Sequence, residues 1–530
     1  MKKIKNIFIN ILLPGIILSG FIGFAVGIVI FFYKYTWNLI NKNSKFIYEM
    51  ISNKLILVIP GLLVIIGLAF IQTITIKHVH ESRGGGIPTS EGIVRGLLGC
   101  RPYSTFIAVI VLSFISVFIG VPLGSEGPSV LLGTALSNAF AKVLPEKKYR
   151  AYKRYIMTGG SSTAFAVATG APIAGILFAL EEIHRKFSPM ILLVSMSSVL
   201  CGTYISQVLS NLFNVPFKMF NDISTLNFPI EKIWMFVLVG LIVGVLSIAF
   251  AKSIELFKYL FETKTSKIHI FYKILSVFII SFILAIFLPD SIYGGHSLIE
   301  GLIENKYELY LLIIILLIKF LLVSYTSFSG VTGGLFIPML AIGSLLGAIL
   351  AKIFNINEYS TIFISASMVA FMGASVGCPL SAIVFACETL NGLENIFPIL
   401  ICVFVSFATF KMFGTNHVYD IVLEGKLKNK FSFRDFEIAE FKFVVSENSF
   451  ACYKTTRDLL LPPNAIILSV QRKDKAHFKM DNFGDKILHE GDIVTLRVQT
   501  YNNEKTKKEI ESFFGYQEEL EKVLVQEKKY

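Results

Sequence analysis

Long apolar stretches run through the chain to about residue 413, near positions 7–33, 55–75, 103–122, 128–141, 156–180, 189–212, 232–256, 270–288, 309–328, 335–351, 360–376, 379–391 and 395–413. Stretches of about 20 residues can span a bilayer as helices, and several of these fall short of that. Gly- and Pro-rich breaks separate the short ones: Gly84–Pro88, Gly124–Pro128, Gly170–Pro172, Gly333–Pro338 and Gly377–Pro379. The pattern predicts discontinuous helices with ends inside the membrane, where irregular backbone normally lines an ion or substrate path. The stretch from Ile7 to Tyr33 follows a short basic N-terminus, is too long for a signal peptide, and reads as a retained first membrane helix. Beyond about residue 425 charge density rises and period-2 segments appear. This predicts a small α/β domain with a strand at Glu437–Val445, a short helix near Thr455–Leu460 and a strand at Ala465–Gln471. A turn at Gly491–Asp492 leads into a further strand, and an amphipathic helix over roughly Glu504–Val525 closes the chain.

Corresponding motifs recur. Gly124, Pro128, Gly133 and Leu136 match Gly334, Pro338, Gly343 and Leu346 at an offset of 210. Gly170, Pro172, Ile176, Phe178, Ala179 and Glu181 match Gly377, Pro379, Ile383, Phe385, Ala386 and Glu388 at an offset of 207. Two blocks in one order at nearly one offset predict a tandem duplication, with halves of roughly 1–225 and 226–425. Similarity leaves open whether the halves run parallel or inverted, and loop charge does not decide it. The expected fold is therefore an all-α polytopic membrane protein of two repeated halves with broken helices, plus a small α/β C-terminal domain.

Composition sharpens the class. Of 530 residues 54% are hydrophobic, 48 are Phe and only 16% are charged, which excludes an ordinary soluble globular protein. The net charge of +12 is scattered through loops and tail without an aromatic-interleaved basic patch, so no nucleic-acid partner is expected. Six cysteines (Cys100, Cys201, Cys378, Cys387, Cys402 and Cys452) form no CxxC and read as reduced, packed thiols. His78, His80 and Glu81 lack metal-site spacing and read as loop residues; no metal or cofactor is expected. Ser129, Ser161 and Ser162 lack the context of an intramembrane nucleophile and read as small packing residues.

Glu126 is the only charged residue between Arg101 and Lys142. A carboxylate within the membrane costs about 2.5–3.5 kcal/mol on insertion scales, which makes it a functional candidate by default. It sits in Gly124–Ser125–Glu126–Gly127–Pro128, one of three Gly-rich breaks with a proline placed to open a helix. The others are Gly84–Gly85–Gly86–Ile87–Pro88 and Gly334–Leu335–Phe336–Ile337–Pro338. Several helix N-termini converging within a membrane make an anion site without a fixed cation.

These three motifs, in this order, resemble the GSGIP, GxEGP and GxFxP patterns of the CLC family of chloride channels and proton-coupled chloride transporters. The resemblance covers nearly all of residues 1–425. It implies that Glu126 is the gating glutamate, that the amides of Leu335 and Phe336 cradle the central anion, and that the Tyr419 hydroxyl donates to the same ion just ahead of another helix. Gly85 stands where the family usually has serine, so it offers only an amide, and chloride preference is put in question. Ser125 replaces the commoner arginine. The segment Gly170–Glu182 matches a family segment ending in a Glu pair, whose second member, Glu182, receives protons on the internal side. Read without the family, Glu181 and Glu182 would end a helix at the surface and pair with His184 or Arg185; with it, Glu181 and its repeat partner Glu388 read as structural.

The resemblance thus implies a transporter and not an enzyme: a cell-membrane antiporter exchanging chloride or a similar anion for protons, one ion path per subunit of a homodimer. The alternatives are a passive chloride channel, in which Glu182 carries no proton, and a ligand-sensing regulatory membrane protein. The tail segments Leu461–Asp474 and Leu488–Val494 resemble the TrkA-C half of the RCK regulatory domain, so residues 432–530 are expected to form a cytoplasmic module. That module either binds a small ligand or ion or serves as a dimerisation cap.

Overall fold

The computed structural model describes residues 13–143, 146–220, 226–390, 392–428, 437–447, 449–462, 465–472, 487–500, 503–515 and 524–525. The first half comprises α1 (Leu13–Asn53), α2 (Val58–His78), α3 (Gly86–Val94), α4 (Pro102–Ile119), α5 (Glu126–Ala141), α6 (Glu146–Thr169), α7 (Pro172–Phe178) and α8 (Pro189–Phe213). The second comprises α9 (Met235–Tyr259), α10 (Ile270–Phe287), α11 (His296–Ile303), α12 (Leu309–Ser329), α13 (Phe336–Ile353), α14 (Ser360–Val376), α15 (Pro379–Thr389), α16 (Ile396–Met412) and α17 (Val418–Lys428). Among the described residues nine helices are long and apolar enough to cross a membrane, so the chain is a multi-pass membrane protein. The first helix differs from expectation: it runs on to Asn53, because Lys34 and the charges beyond it end the apolar run while no Gly or Pro ends the helix.

The halves pack alike. In each, the first long helix lies against the last, α1 on α8 and α9 on α16, and the central pairs are α5 on α6 and α13 on α14. Gly133 of α5 meets the backbone of α6, where a Cβ would come within 2.4 Å of the Gly160 carbonyl oxygen. Its counterpart Gly343 meets α14 in the same way, 2.7 Å from the Ser367 carbonyl oxygen. Small residues permit this close approach.

The relation between the halves is seen at Gly124 and Gly334. Each amide donates to the other's carbonyl at 2.8 Å, an antiparallel bridge between corresponding residues. A second reciprocal contact joins the short helices. Glu181 accepts from the amides of Leu380 and Ser381 at 3.0 and 2.7 Å, opening α15, and Glu388 accepts from Ile173 and Ala174 at 2.8 and 2.9 Å, opening α7. Each carboxylate caps the partner's N-terminus, where free amides and the helix dipole favour an anion. The halves are thus related by an approximate two-fold axis, with Glu181 and Glu388 as matching caps.

The C-terminal region forms a four-stranded antiparallel sheet in the order β2-β3-β1-β4, with β1 (Glu437–Val444), β2 (Ala465–Gln471), β3 (Ile493–Thr500) and β4 (Leu524–Val525). Helix α18 (Asn503–Phe514) packs on β1, stacking Phe514 on Phe443 at 5.8 Å. Two expectations are corrected. The helix near Thr455–Leu460 is a single 3-10 turn, Thr456–Asp458, because Asp458 accepts from the Thr455 hydroxyl and holds the turn locally. The closing helix stops at Phe514, since Gly515 adopts φ +100, and Leu524–Val525 pairs with β1.

This domain is docked on the helical one. Tyr152 and Tyr155 of α6 meet the Phe450 ring at 4.9 and 5.4 Å. Buried Arg154 pairs with Glu509 at 2.8 Å and donates to the Leu460 carbonyl at 2.8 Å, while Tyr155 donates to the Asp458 carbonyl.

Candidate functional site

Three breaks fold into one junction. Helices α3, α5 and α13 begin at Gly86, Glu126 and Phe336, each with its proline at the third helical position, where the missing N–H removes no intrahelical bond. Glycine is required where their ends meet. A Cβ on Gly86 would lie 1.9 Å from the Gly127 carbonyl oxygen, and one on Gly127 would lie 2.6 Å from the Gly334 Cα. The ends of α3, α5 and α13 are therefore in backbone contact. The first intrahelical bonds are Ser129 N to Ser125 O at 2.9 Å and Met339 N to Leu335 O at 3.1 Å, 210 residues apart. Amides before them, Leu335 and Phe336 among these, are the free donors of a helix start.

Glu126 lies at this junction, 2% exposed. The Ser125 hydroxyl donates to its Oε1 at 2.8 Å, and Oε2 is buried with no hydrogen-bond partner among the described residues, lying against Gly124. Phe336, its counterpart in the second half, is held edge-on by Phe165 at 5.1 Å and by Phe385 at 5.5 Å. Gly85 is the N-cap of α3 and contributes no side chain. Tyr419 belongs to the first turn of α17, so the expectation that it precedes the helix is corrected; the helix already opens at Val418, where His417 is fixed against the Ala374 carbonyl at 3.1 Å. The Tyr419 hydroxyl is buried and has no hydrogen-bond partner among the described residues. Helix α17 packs on α3, with Leu423 against Gly92.

Glu182 occupies a different place. Helix α7 continues into a π turn, Ala179–Ile183, which sends Glu181 to cap α15 and leaves Glu182 buried at 1% exposure. Its Oε1 has no hydrogen-bond partner among the described residues and lies 3.7 Å from Arg185. Single π turns occur often at functional sites.

Residues 67–411 match the family described as "Voltage gated chloride channel". The chain belongs to that family. Among its members, this chain is similar to the "H(+)/Cl(-) exchange transporter ClcA" of Citrobacter koseri, 26% identical over 385 residues, covering 71% of this chain and 80% of that one. It is similar at 26% over 379 residues to the transporter of the same name from Klebsiella pneumoniae, with 70% and 78% covered. The fold is that of a slow cyanobacterial Cl-/H+ antiporter, with a TM-score of 0.70 at 21% identity, 78% of this chain and 98% of the other covered.

Within this voltage-gated chloride channel fold, the sequence reading missed a charge cluster around Glu182. Glu91 on α3 is fully buried, 2.5 Å from Arg95 and 3.8 Å from Arg185. Arg185 also makes two bonds to Asp420 on α17, at 2.7 and 3.1 Å. One guanidinium thus faces Glu182, Glu91 and Asp420, tying the π turn to α3 and α17. The available signal was that Glu91 follows the first Gly-rich break within the same short helix.

Proposed function

We propose that the chain is an antiporter that exchanges chloride for protons, the activity for which its relatives are named. The observation that carries the reading is the meeting of three helix N-termini around a buried carboxylate with one unpartnered oxygen. Free amides only donate, so they attract chloride and an ionised Glu126 alike. The two compete for one seat: protonated Glu126 leaves it to the anion, and a bound anion favours protonated Glu126. Exchange in opposite directions follows. Leu335 and Phe336 supply the amides of the central seat, Tyr419 supplies a hydroxyl otherwise without a partner, and Gly85 supplies backbone alone. Glu182 passes protons between Glu126 and the face that carries the C-terminal domain, over a route partly separate from the anion's.

In this reading residues 1–425 form the transport domain, and residues 432–530 form a cytoplasmic TrkA-C-like domain that regulates it by ligand binding or dimerisation. The protein works as a homodimer in the cell membrane with one path per subunit. In support, the sheet domain sits on α6, whose Thr158 hydroxyl contacts His184 beside the π turn at 2.6 Å.

The test is a chloride gradient imposed on proteoliposomes at equal pH. The reading expects protons to move uphill against the chloride flow, Glu182→Gln to stop proton movement while chloride still passes, and Glu126→Ala to uncouple both. Chloride flux with no proton movement in the unaltered protein would overturn exchange and leave a channel.

A further inference from the structure

Helices α1 and α8 lie side by side in the same direction. A Cβ on Gly15 would stand 3.2 Å from Met190 Cε, one on Gly23 2.0 Å from the Ser198 carbonyl oxygen, and one on Gly27 2.4 Å from the Gly202 carbonyl oxygen. The glycines bring the two backbones together. Beyond Gly27 the small residues on α1 give out: Phe31, Lys34 and Tyr35 follow, with Ser206 and Ser210 at the corresponding level of α8. A cavity opens between them, lined as well by the Val215–Phe217 loop that follows α8.

The Lys34 ammonium lines this cavity. Its contact among the described residues is the Phe217 carbonyl at 3.4 Å, the outer limit of a hydrogen bond. It makes no ion pair among the described residues, and Glu126 acts on it only from a greater distance. Ser206 and Asn38 add a hydroxyl and an amide to the lining. Beside the cavity the rings of Phe32 and Phe213 meet at 5.7 Å, and both side chains are exposed.

Both helices place the cavity at the same height. Gly15 and Met190 lie on the side of the sheet domain, since a Cβ on Gly15 would also stand 3.6 Å from Tyr152, whose ring meets Phe450. From that level Lys34 is 19 residues along α1 and Ser210 is 20 residues along α8. At 1.5 Å per residue each is a rise of about 30 Å, the thickness of a bilayer's hydrocarbon core. Lys34 therefore sits at the opposite membrane interface, where headgroup phosphates lie and where a lysine stem can cross apolar surface to reach them.

We propose that this cavity binds the phosphate of a phospholipid from the leaflet opposite the sheet domain. Lys34 supplies the charge, Asn38 and Ser206 supply hydrogen-bonding groups, and exposed Phe32 and Phe213 lie against an acyl chain. The site is separate from the junction of helix starts and does not depend on the exchange reading.

The test titrates the purified full chain, stripped of lipid in a neutral detergent, with dioleoyl phosphatidylglycerol and counts bound lipid by native mass spectrometry. Loss of a charge-assisted bond to phosphate is expected to weaken retention in Lys34→Gln by about tenfold. Lys34→Arg is expected to retain the lipid at least as tightly as the unaltered protein, because guanidinium pairs with phosphate through two parallel bonds. Asn38→Leu, which leaves the lysine in place, should weaken retention less than Lys34→Gln. Dioleoylglycerol, which has no phosphate, should not be retained, and inorganic phosphate at the lipid's concentration should not displace the lipid. Equal retention by Lys34→Gln and the unaltered protein at comparable thermal midpoints, or no retention by the unaltered protein, would overturn the proposal. Equal retention of dioleoylglycerol would overturn phosphate recognition, and displacement by inorganic phosphate would overturn the lipid as occupant.

Discussion

Ser125 and Glu126 share one hydrogen bond on which the proposed gate depends. A hydrogen bond to a charged group contributes about 1.5–3 kcal/mol. Ser125→Ala removes it and leaves the seated carboxylate with both oxygens short of side-chain donors. The carboxylate is then held less firmly, and chloride flux at fixed pH is expected to rise by roughly tenfold, as read by chloride release from proteoliposomes. Unchanged or slower flux would mean that Ser125 does not hold the gate closed. Glu126 was legible in the sequence because some forty residues around it carry no other charge. Glu91 was not, because with Arg95 four residues on it has the spacing of an ordinary helix-surface pair. Only the fold shows that Glu91 is turned inward beside Arg185.

At the scale of elements, the reciprocal caps make a matched pair of predictions. Glu181→Gln and Glu388→Gln each weaken charge-assisted bonds at a helix start, at a cost of about 1–2 kcal/mol. Each is expected to lower the thermal midpoint in detergent by a similar amount, with an unchanged ratio of protons to chloride. A changed ratio in Glu181→Gln would move that residue onto the proton route. The docked sheet domain gives a pH prediction. Lys454 is buried against Phe450 and the Tyr155 ring, its Nζ has no hydrogen-bond partner among the described residues, and burial pushes its ammonium well below the usual lysine range, with Asp458 opposing. Docked Lys454 binds fewer protons than free lysine, so docking is expected to weaken as pH falls from the ordinary value of about 10.5 toward the docked one. Lys454→Met should flatten that dependence, as read by proteolytic release of the domain across alkaline pH; an unchanged profile would show that another group sets it. The helix breaks were legible because Gly and Pro mark them. The far end of α1 and the end of α18 were not, since surface charge interrupts the apolar pattern in one and a lone Gly515 ends the other.

For the whole molecule, the sequence repeats paired Gly124 with Gly334 but gave no direction, because similarity carries correspondence and not orientation. The antiparallel bridge between these two glycines shows that an approximate two-fold axis relates them. That axis brings equivalent helix starts together at the junction, and one carries Glu126 while the other carries Phe336. The frame is duplicated, and the titratable group is present once. The docking of the sheet domain on α6 was also beyond the sequence, since Arg154 and Tyr155 lie some three hundred residues from Phe450 and none belongs to a motif.

The central claim is that chloride and the ionised Glu126 carboxylate compete for one seat. Linkage then requires that chloride binding take up protons. Calorimetric titration of the purified protein with chloride, repeated in buffers of different ionisation enthalpy, reads that uptake directly. The account predicts proton uptake with chloride binding near neutral pH in the unaltered protein, and none in Glu126→Gln, which should bind chloride with little dependence on pH. Chloride binding without proton uptake in the unaltered protein, or the same uptake in Glu126→Gln, would contradict it.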